Sequence, residues 1–166
     1  MPHTLSQLNA LPAVEFTAAV GGVFEHSPWI AERASSRRPF ASLDSLHTAM
    51  CEVVASATPE EQLALIRAHP DLVGRIVLTA ESKSEQAAAG LTGLSPDEVA
   101  LFDRYNREYK TRFGFPFVIC ARLNNKDAIL AAFPIRLQNT AETERETALA
   151  EIYKIARLRL AALIQP

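Results

Sequence analysis

Cysteine is scarce in this chain. Only Cys51 and Cys120 occur among 166 residues, and they form neither a C-x-x-C pair nor a zinc-type cluster. That excludes a disulfide-rich scaffold and suggests two buried, reduced thiols, with a single bridge between them left open. An excess of charge of one sign is also missing. Seventeen basic and nineteen acidic residues leave a formal net charge of −2, which gives no electrostatic case for nucleic acid or an anionic membrane. The basic pair Arg37-Arg38, just before Pro39-Phe40, reads as a solvated loop. No apolar run approaches the ~18 residues that span a bilayer. Met1-Pro2-His3-Thr4 has no basic and apolar leader pattern, and Leu163-Ile164-Gln165-Pro166 has no peroxisomal or lipidation signal. A cytoplasmic location is the expectation. The motifs H-E-x-x-H, G-x-S-x-G, the P-loop and G-x-G-x-x-G are all absent, and histidines and acids are not spaced as metal ligands. Any catalysis is therefore expected to be acid–base work without metal or cofactor.

What is present points to helix. Apolar residues make up 48% of the chain, led by alanine and leucine, and both favour helix. The length suits one domain over residues 1–166. Leu5 and Leu8 predict a short helix before Pro12, and a second runs over 13–20 until Gly21-Gly22. Ser27-Pro28 reads as a cap followed by proline at the first helical position. Leu43, Leu46, Met50, Val53 and Val54 recur at helical spacing, so residues 42–57 should form an amphipathic helix. Thr58-Pro59-Glu60-Glu61 and Ser95-Pro96-Asp97-Glu98 are capping boxes. The first opens a helix that ends near Ala68, and the second opens one reaching about Arg112. Asn125 and Asn139 are expected to cap two further helices, the last running through Ile152, Ile155 and Leu163. Phe117-Val118-Ile119-Cys120-Ala121 is the one candidate strand. It has no second apolar run to pair with, so it is read as an extended segment leading into helix. The fold class is all-α, a single-domain bundle of eight to nine helices. Residues 74–82 form its least regular loop.

Three blocks carry the polar groups suited to catalysis. In His69-Pro70-Asp71-Leu72 the imidazole stands before a proline, where helical backbone is disfavoured, so it should project from a helix end. Helix carbonyls there favour the protonated ring, which suits a general acid. Asp71 could orient His69 or bond amides of the turn. In Ser82-Lys83-Ser84-Glu85-Gln86 a helix over 84–90 would place Glu85 in its first turn, either capping with Ser82 or meeting a ligand. Gln86 offers the donor and acceptor that match a planar amide or urea group. Phe113 to Ile119 gives a rigid apolar turn that could be pocket wall or core. Along the last helix, Arg159 falls on the stripe of Ile152, Ile155, Ala156 and Leu163, while Arg157 points to the opposite side. A guanidinium on an apolar face needs a partner, either a buried carboxylate such as Glu85 or Asp71, or a substrate. His3, His26 and His47 read as structural.

Together, Ser27-Pro28-Trp29, Arg38-Pro39-Phe40, His69-Pro70-Asp71-Leu72, Ser82-x-x-Glu85-Gln86, Ala89-Gly90-Leu91, residues 113–122 and residues 154–160 resemble the 2-oxo-4-hydroxy-4-carboxy-5-ureidoimidazoline (OHCU) decarboxylase family over nearly the whole chain. The resemblance implies an all-helical homodimer that needs no cofactor and makes (S)-allantoin in urate degradation. It implies His69 as the catalytic histidine, with Glu85 beside it. It also implies substrate contacts from Pro70, Ser82, Lys83, Ser84, Glu85, Gln86, Phe115, Pro116, Phe117, Val118 and Ile119, and a functional arginine in the terminal block, for which Arg159 is the choice. A helical small-molecule binding module and a cofactor-free hydrolase of a related ureido compound are the competing readings.

Overall fold

Capping chemistry sets most boundaries in the computed structural model, which describes residues 2–74 and 78–166. In chain order these residues form β1 (His3–Thr4), α1 (Leu5–Ala10), α2 (Ala13–Val20), α3 (Trp29–Ala34), α4 (Leu43–Ala55), α5 (Pro59–Arg67), α6 (Ala80–Ala88), α7 (Pro96–Phe113), α8 (Lys126–Leu137), α9 (Ala141–Leu163) and β2 (Ile164–Gln165). The all-α expectation holds, with nine α-helices among the described residues. Thr58 with Glu61 and Ser95 with Glu98 form the expected reciprocal capping boxes. Asn125 Oδ1 accepts from the Ala128 N–H at 2.9 Å and opens α8. Gly114 ends α7 in the left-handed region (φ 79°), donating its N–H to the Lys110 carbonyl, a conformation that costs a side chain far more than glycine.

Chain contacts divide the molecule into two units, one of residues Met1–Ala68 with Tyr153–Pro166 and one of His69–Ile152. In the first unit, α4 buries Leu46, Ala49, Met50, Val53 and Val54, an i, i+3, i+4, i+7, i+8 stripe. It packs on α3, which packs on α2. Phe16 stacks on Phe40, and Arg38 lies over the Phe16 ring while donating to the carbonyls of Leu8 and Leu11. The strands β1 and β2 pair in parallel, His3 with Ile164 and Thr4 with Gln165. Two residues each are too few to leave a period-two signal, so the sequence gives no sign of them. Two further details differ from expectation. Pro28, not Ser27, is the residue before α3, and Ser27 Oγ donates to the Glu25 carbonyl. Cys51 is only half-buried, while Cys120 is buried, and the two form no disulfide with each other.

In the second unit α7 buries Phe102, Asn106 and Tyr109. Residues 116–120 have no regular secondary structure, as expected, and lead into the 3-10 turn Ala121–Leu123. Side chains satisfy this backbone in place of a neighbouring strand. Arg136 Nη1 donates to the Val118 carbonyl at 2.7 Å, and the Cys120 N–H donates to Glu151 Oε1 at 3.1 Å. Arg136 also bonds Glu144 Oε1 at 2.7 Å, which accepts the Tyr109 hydroxyl at 2.6 Å. Asn139 does not cap α9. Thr140 does, accepting from the Thr143 N–H, and Asn139 Nδ2 instead donates to Glu144 Oε2 at 2.9 Å.

Candidate active site

α6 opens earlier than the sequence suggests. Thr79 is its cap, with Oγ1 accepting from the Ser82 N–H at 3.2 Å. Residues 75–77 of the expected loop lie outside the described residues. The earlier start moves Glu85 out of the first turn and removes the Ser82–Glu85 capping box, because the orphan amide at Ser82 already has Thr79. Ser82, Glu85, Gln86 and Ala89 then share one face at i, i+3, i+4 and i+7, and all four are buried. Glu85 keeps only 9% exposure. A carboxylate on the inner face of a helix is costly unless it is paired or hydrogen-bonded. Lys83 and Ser84 lie on the exposed side of α6.

His69 follows Ala68, the C-cap of α5, and is 8% exposed. Beyond Pro70 the chain makes a tight turn held from two helices. Gln86 Oε1 on α6 accepts the Val73 N–H at 3.1 Å, and its Nε2 lies 3.5 Å from the Asp71 carbonyl. On α7, Asn106 Nδ2 donates to the Leu72 carbonyl at 2.8 Å and Lys110 Nζ to Asp71 Oδ2 at 2.7 Å. Asp71 is thus paired with Lys110 and does not orient His69. Gln86 has its amide engaged with the turn, where the sequence points to a ligand amide or urea.

Residues 115–119 are all buried. The Phe117 ring is committed to the core: Phe133 stacks on it at 3.8 Å and the Arg136 guanidinium lies 4.1 Å from its centroid. Both contacts are face-on and cannot share one face, so the ring is sandwiched. Phe115 meets Tyr109 edge-on at 5.9 Å. These rings therefore serve as core, and what this segment offers a ligand is mainly backbone. α6 packs on the 3-10 turn that follows the segment. Burial and the bond to Glu144 push the Tyr109 hydroxyl well above its ordinary pKa.

Arg159 lies in the first unit and is 6% exposed. Its Nη2 meets Glu25 Oε2 at 2.9 Å and its Nη1 donates to the Gly22 carbonyl at 3.4 Å. The expected burial of Arg159 holds, and Arg157 is at the surface, paired with the exposed Asp44 at 2.9 Å. Glu25 is a buried carboxylate that answers Arg159, and the sequence does not point to it. Glu25 stands two residues before the Ser27-Pro28-Trp29 block, in a stretch without helical period. The demand of a buried arginine for a buried acid is the signal that could find it. Among the described residues, no group of three or more His, Cys, Asp or Glu side chains could hold a metal ion, and no helix is long and apolar enough to cross a membrane.

The helix carrying Glu85 is thus hydrogen-bonded, through Gln86, to the turn that follows His69. A buried imidazole and a buried carboxylate on such a frame are the candidates for acid–base chemistry on a small molecule. Residues 9–161 match the family model described as OHCU decarboxylase. The chain belongs to the OHCU decarboxylase family. It is 49% identical over 158 residues to a 2-oxo-4-hydroxy-4-carboxy-5-ureidoimidazoline decarboxylase from Haloferax volcanii, covering 95% of this chain and 94% of that one. The crystal structure of (S)-allantoin synthase superposes with a TM-score of 0.82 at 30% identity, over 99% of this chain and 54% of that one, so the chain spans about half that protein's length. OHCU decarboxylase crystallised in the presence of (S)-allantoin matches with a TM-score of 0.71 at 26% identity, over 90% of this chain and 96% of that one.

Proposed function

We propose that this chain is a carboxy-lyase that converts OHCU to (S)-allantoin in urate degradation, with His69 as the proton donor. The observation that carries the site assignment is the buried Glu85 on an α6 face whose Gln86 bonds the turn after His69. The substrate has its carboxylate on a carbon next to an imine-like ring carbon. The bond to the carboxylate breaks, CO2 leaves, and the electron pair delocalises into the ring. A proton delivered to one face of a ring carbon completes the reaction and fixes the configuration. His69 supplies that proton. Glu85 binds the ring hydroxyl or a ring N–H. Ser82, Pro70 and the backbone of residues 115–119 hold the ring and ureido amides, and Gln86 secures the turn after His69. The exposure of Lys83 and Ser84 gives their side chains no part in this scheme. No cofactor is invoked, because the ring itself accepts the electrons. Positioned proton transfer of this kind is worth about 10²–10⁴-fold. On the family resemblance, the working form is a cytoplasmic homodimer.

The test is His69→Asn. The ultraviolet decay of OHCU generated from urate is followed together with CO2 release and the optical activity of the allantoin. The wild type should speed the decay and yield (S)-allantoin, and a folded His69→Asn protein should leave the spontaneous rate and a racemic product. Normal (S)-allantoin production by that variant removes His69 from the mechanism. Accumulation of allantoate with the wild type would identify a hydrolase, and no acceleration at all a binding module.

A further inference from the structure

The turn after His69 is held more firmly than a surface connection needs. Within residues 71–74, the Asp71 carbonyl accepts the Gly74 N–H at 3.3 Å, the Leu72 carbonyl accepts Asn106 Nδ2, the Val73 N–H is taken by Gln86, and the Asp71 carboxylate by Lys110. Asn106 and Lys110 are one helical turn apart on α7, so a single rigid helix supplies two of these bonds. The fit is tight: a Cβ at Gly74 would stand 3.1 Å from the Asp71 carbonyl oxygen and from its Cβ. It is also strained. Val73 is a β-branched residue at φ 57°, a conformation that persists only where surrounding contacts over-determine it. Strain held by several convergent bonds, starting two residues after a buried imidazole, is the pattern of a pre-organised site.

We propose that Asn106 is the positioning residue of the proton donor. Its amide fixes the Leu72 carbonyl, Pro70 with its locked φ carries that constraint back along the chain, and the His69 ring is thereby aimed. The proposal rests on His69 being the donor. Asn106 is 6% exposed, and its Oδ1 has no hydrogen-bond partner among the described residues. The position therefore uses the donor half of the amide. Aspartate has the same shape and lacks that donor, so Asn106→Asp is the pointed substitution.

If the residue positions the donor, a folded Asn106→Asp protein should lose kcat by about ten- to a hundredfold with KM changed by less than about twofold, because a displaced proton donor is missed mainly in the transition state. If it only fills a buried space, its melting temperature falls while kcat well below the melting point stays within about twofold of wild type, and the proposal is overturned. Val73→Gly covers the case in which Asn106→Asp does not fold. Glycine relieves the left-handed strain and slackens the turn, so the proposal expects a melting temperature no lower than wild type and a kcat reduced at least about fivefold. Wild-type kcat in Val73→Gly would overturn it. His69→Asn is assayed in parallel. If that variant is active, the parent reading fails. If it is inactive while Asn106→Asp and Val73→Gly keep wild-type kcat, only the positioning claim fails.

Discussion

Arg136→Met puts the buried network of the second unit to a quantitative test. Arg136 donates from Nε to Glu144 and from Nη1 to the Val118 carbonyl, both at 2.7 Å, and covers the Phe117 ring. Glu144 is fully buried, at 0% exposure, and its remaining donors are Tyr109 and Asn139. Methionine conserves much of the volume and the contact with the ring but removes the charge and both donors. Stranding one member of a buried ion pair costs about 3–5 kcal/mol. For a chain of this size each kcal/mol moves the melting point by roughly 2–4 °C, so a fall of roughly 6–20 °C follows. The assay is denaturant and thermal unfolding followed by far-ultraviolet circular dichroism, with Arg136→Met/Glu144→Leu as the partner variant. Removing both charges leaves no stranded ion, so the double variant should be more stable than Arg136→Met alone by at least about 1 kcal/mol. A single-variant loss below about 1 kcal/mol would place Arg136 in the range of exposed surface pairs and refute the claim that it anchors the Val118 segment.

Arg159→Lys should lower both activity and stability, since a lysine cannot reproduce the guanidinium that reaches Glu25 and the Gly22 carbonyl. Arg157→Lys should change stability by no more than about 0.5 kcal/mol, because its pair with Asp44 is exposed. Paired kinetics and melting curves decide, and the reverse ranking would refute the assignment. Cys51 should resist alkylation near neutral pH. Burial first, then the neighbouring Glu52, pushes its thiol up to about 11. His47 Nε2, 3.4 Å away, lies 2.8 Å from the Tyr153 carbonyl; donating its proton there, it cannot serve as a base for the thiol. A raised thiol pKa in the folded state contributes stability at low pH and loses it as pH climbs from about 9 to about 11. Iodoacetamide labelling of the native protein should therefore accelerate only toward the top of that window, and rapid labelling at pH 7 would contradict it.

Local chemistry in the sequence predicts the helices well, because a cap and its partner lie three residues apart. Thr58 with Glu61, Ser95 with Glu98, and Asn125 all act where they are expected. Errors arise where two neighbouring residues could serve the same end. Thr79 and Ser82 compete to open α6, and Asn139 and Thr140 compete to open α9. In each case the residue passed over is engaged elsewhere: the Ser82 N–H is bound by Thr79, and Asn139 is drawn to Glu144. The buried face of Ser82, Glu85 and Gln86 follows from their spacing once α6 is phased. Contacts between distant positions are hidden from such reasoning. Glu25 with Arg159, Asn106 with Leu72, and Arg136 with Val118 are separated by 134, 34 and 18 residues, and no local pattern announces them.

The manner in which residues 116–120 are fastened separates anchoring from side-chain identity. Arg136 grips the carbonyl of Val118 and Glu151 grips the amide of Cys120. Every amino acid carries that carbonyl, and every one except proline carries that amide. The fastening therefore reads the main chain and is indifferent to which side chain stands at position 118. A change of side chain at that position can therefore leave the main-chain fastening in place. The same freedom does not extend to positions 136 and 151, whose side chains are the fasteners. The segment is thus mounted by its backbone, and substitutions that probe the mount belong at positions 136 and 151 rather than at 118.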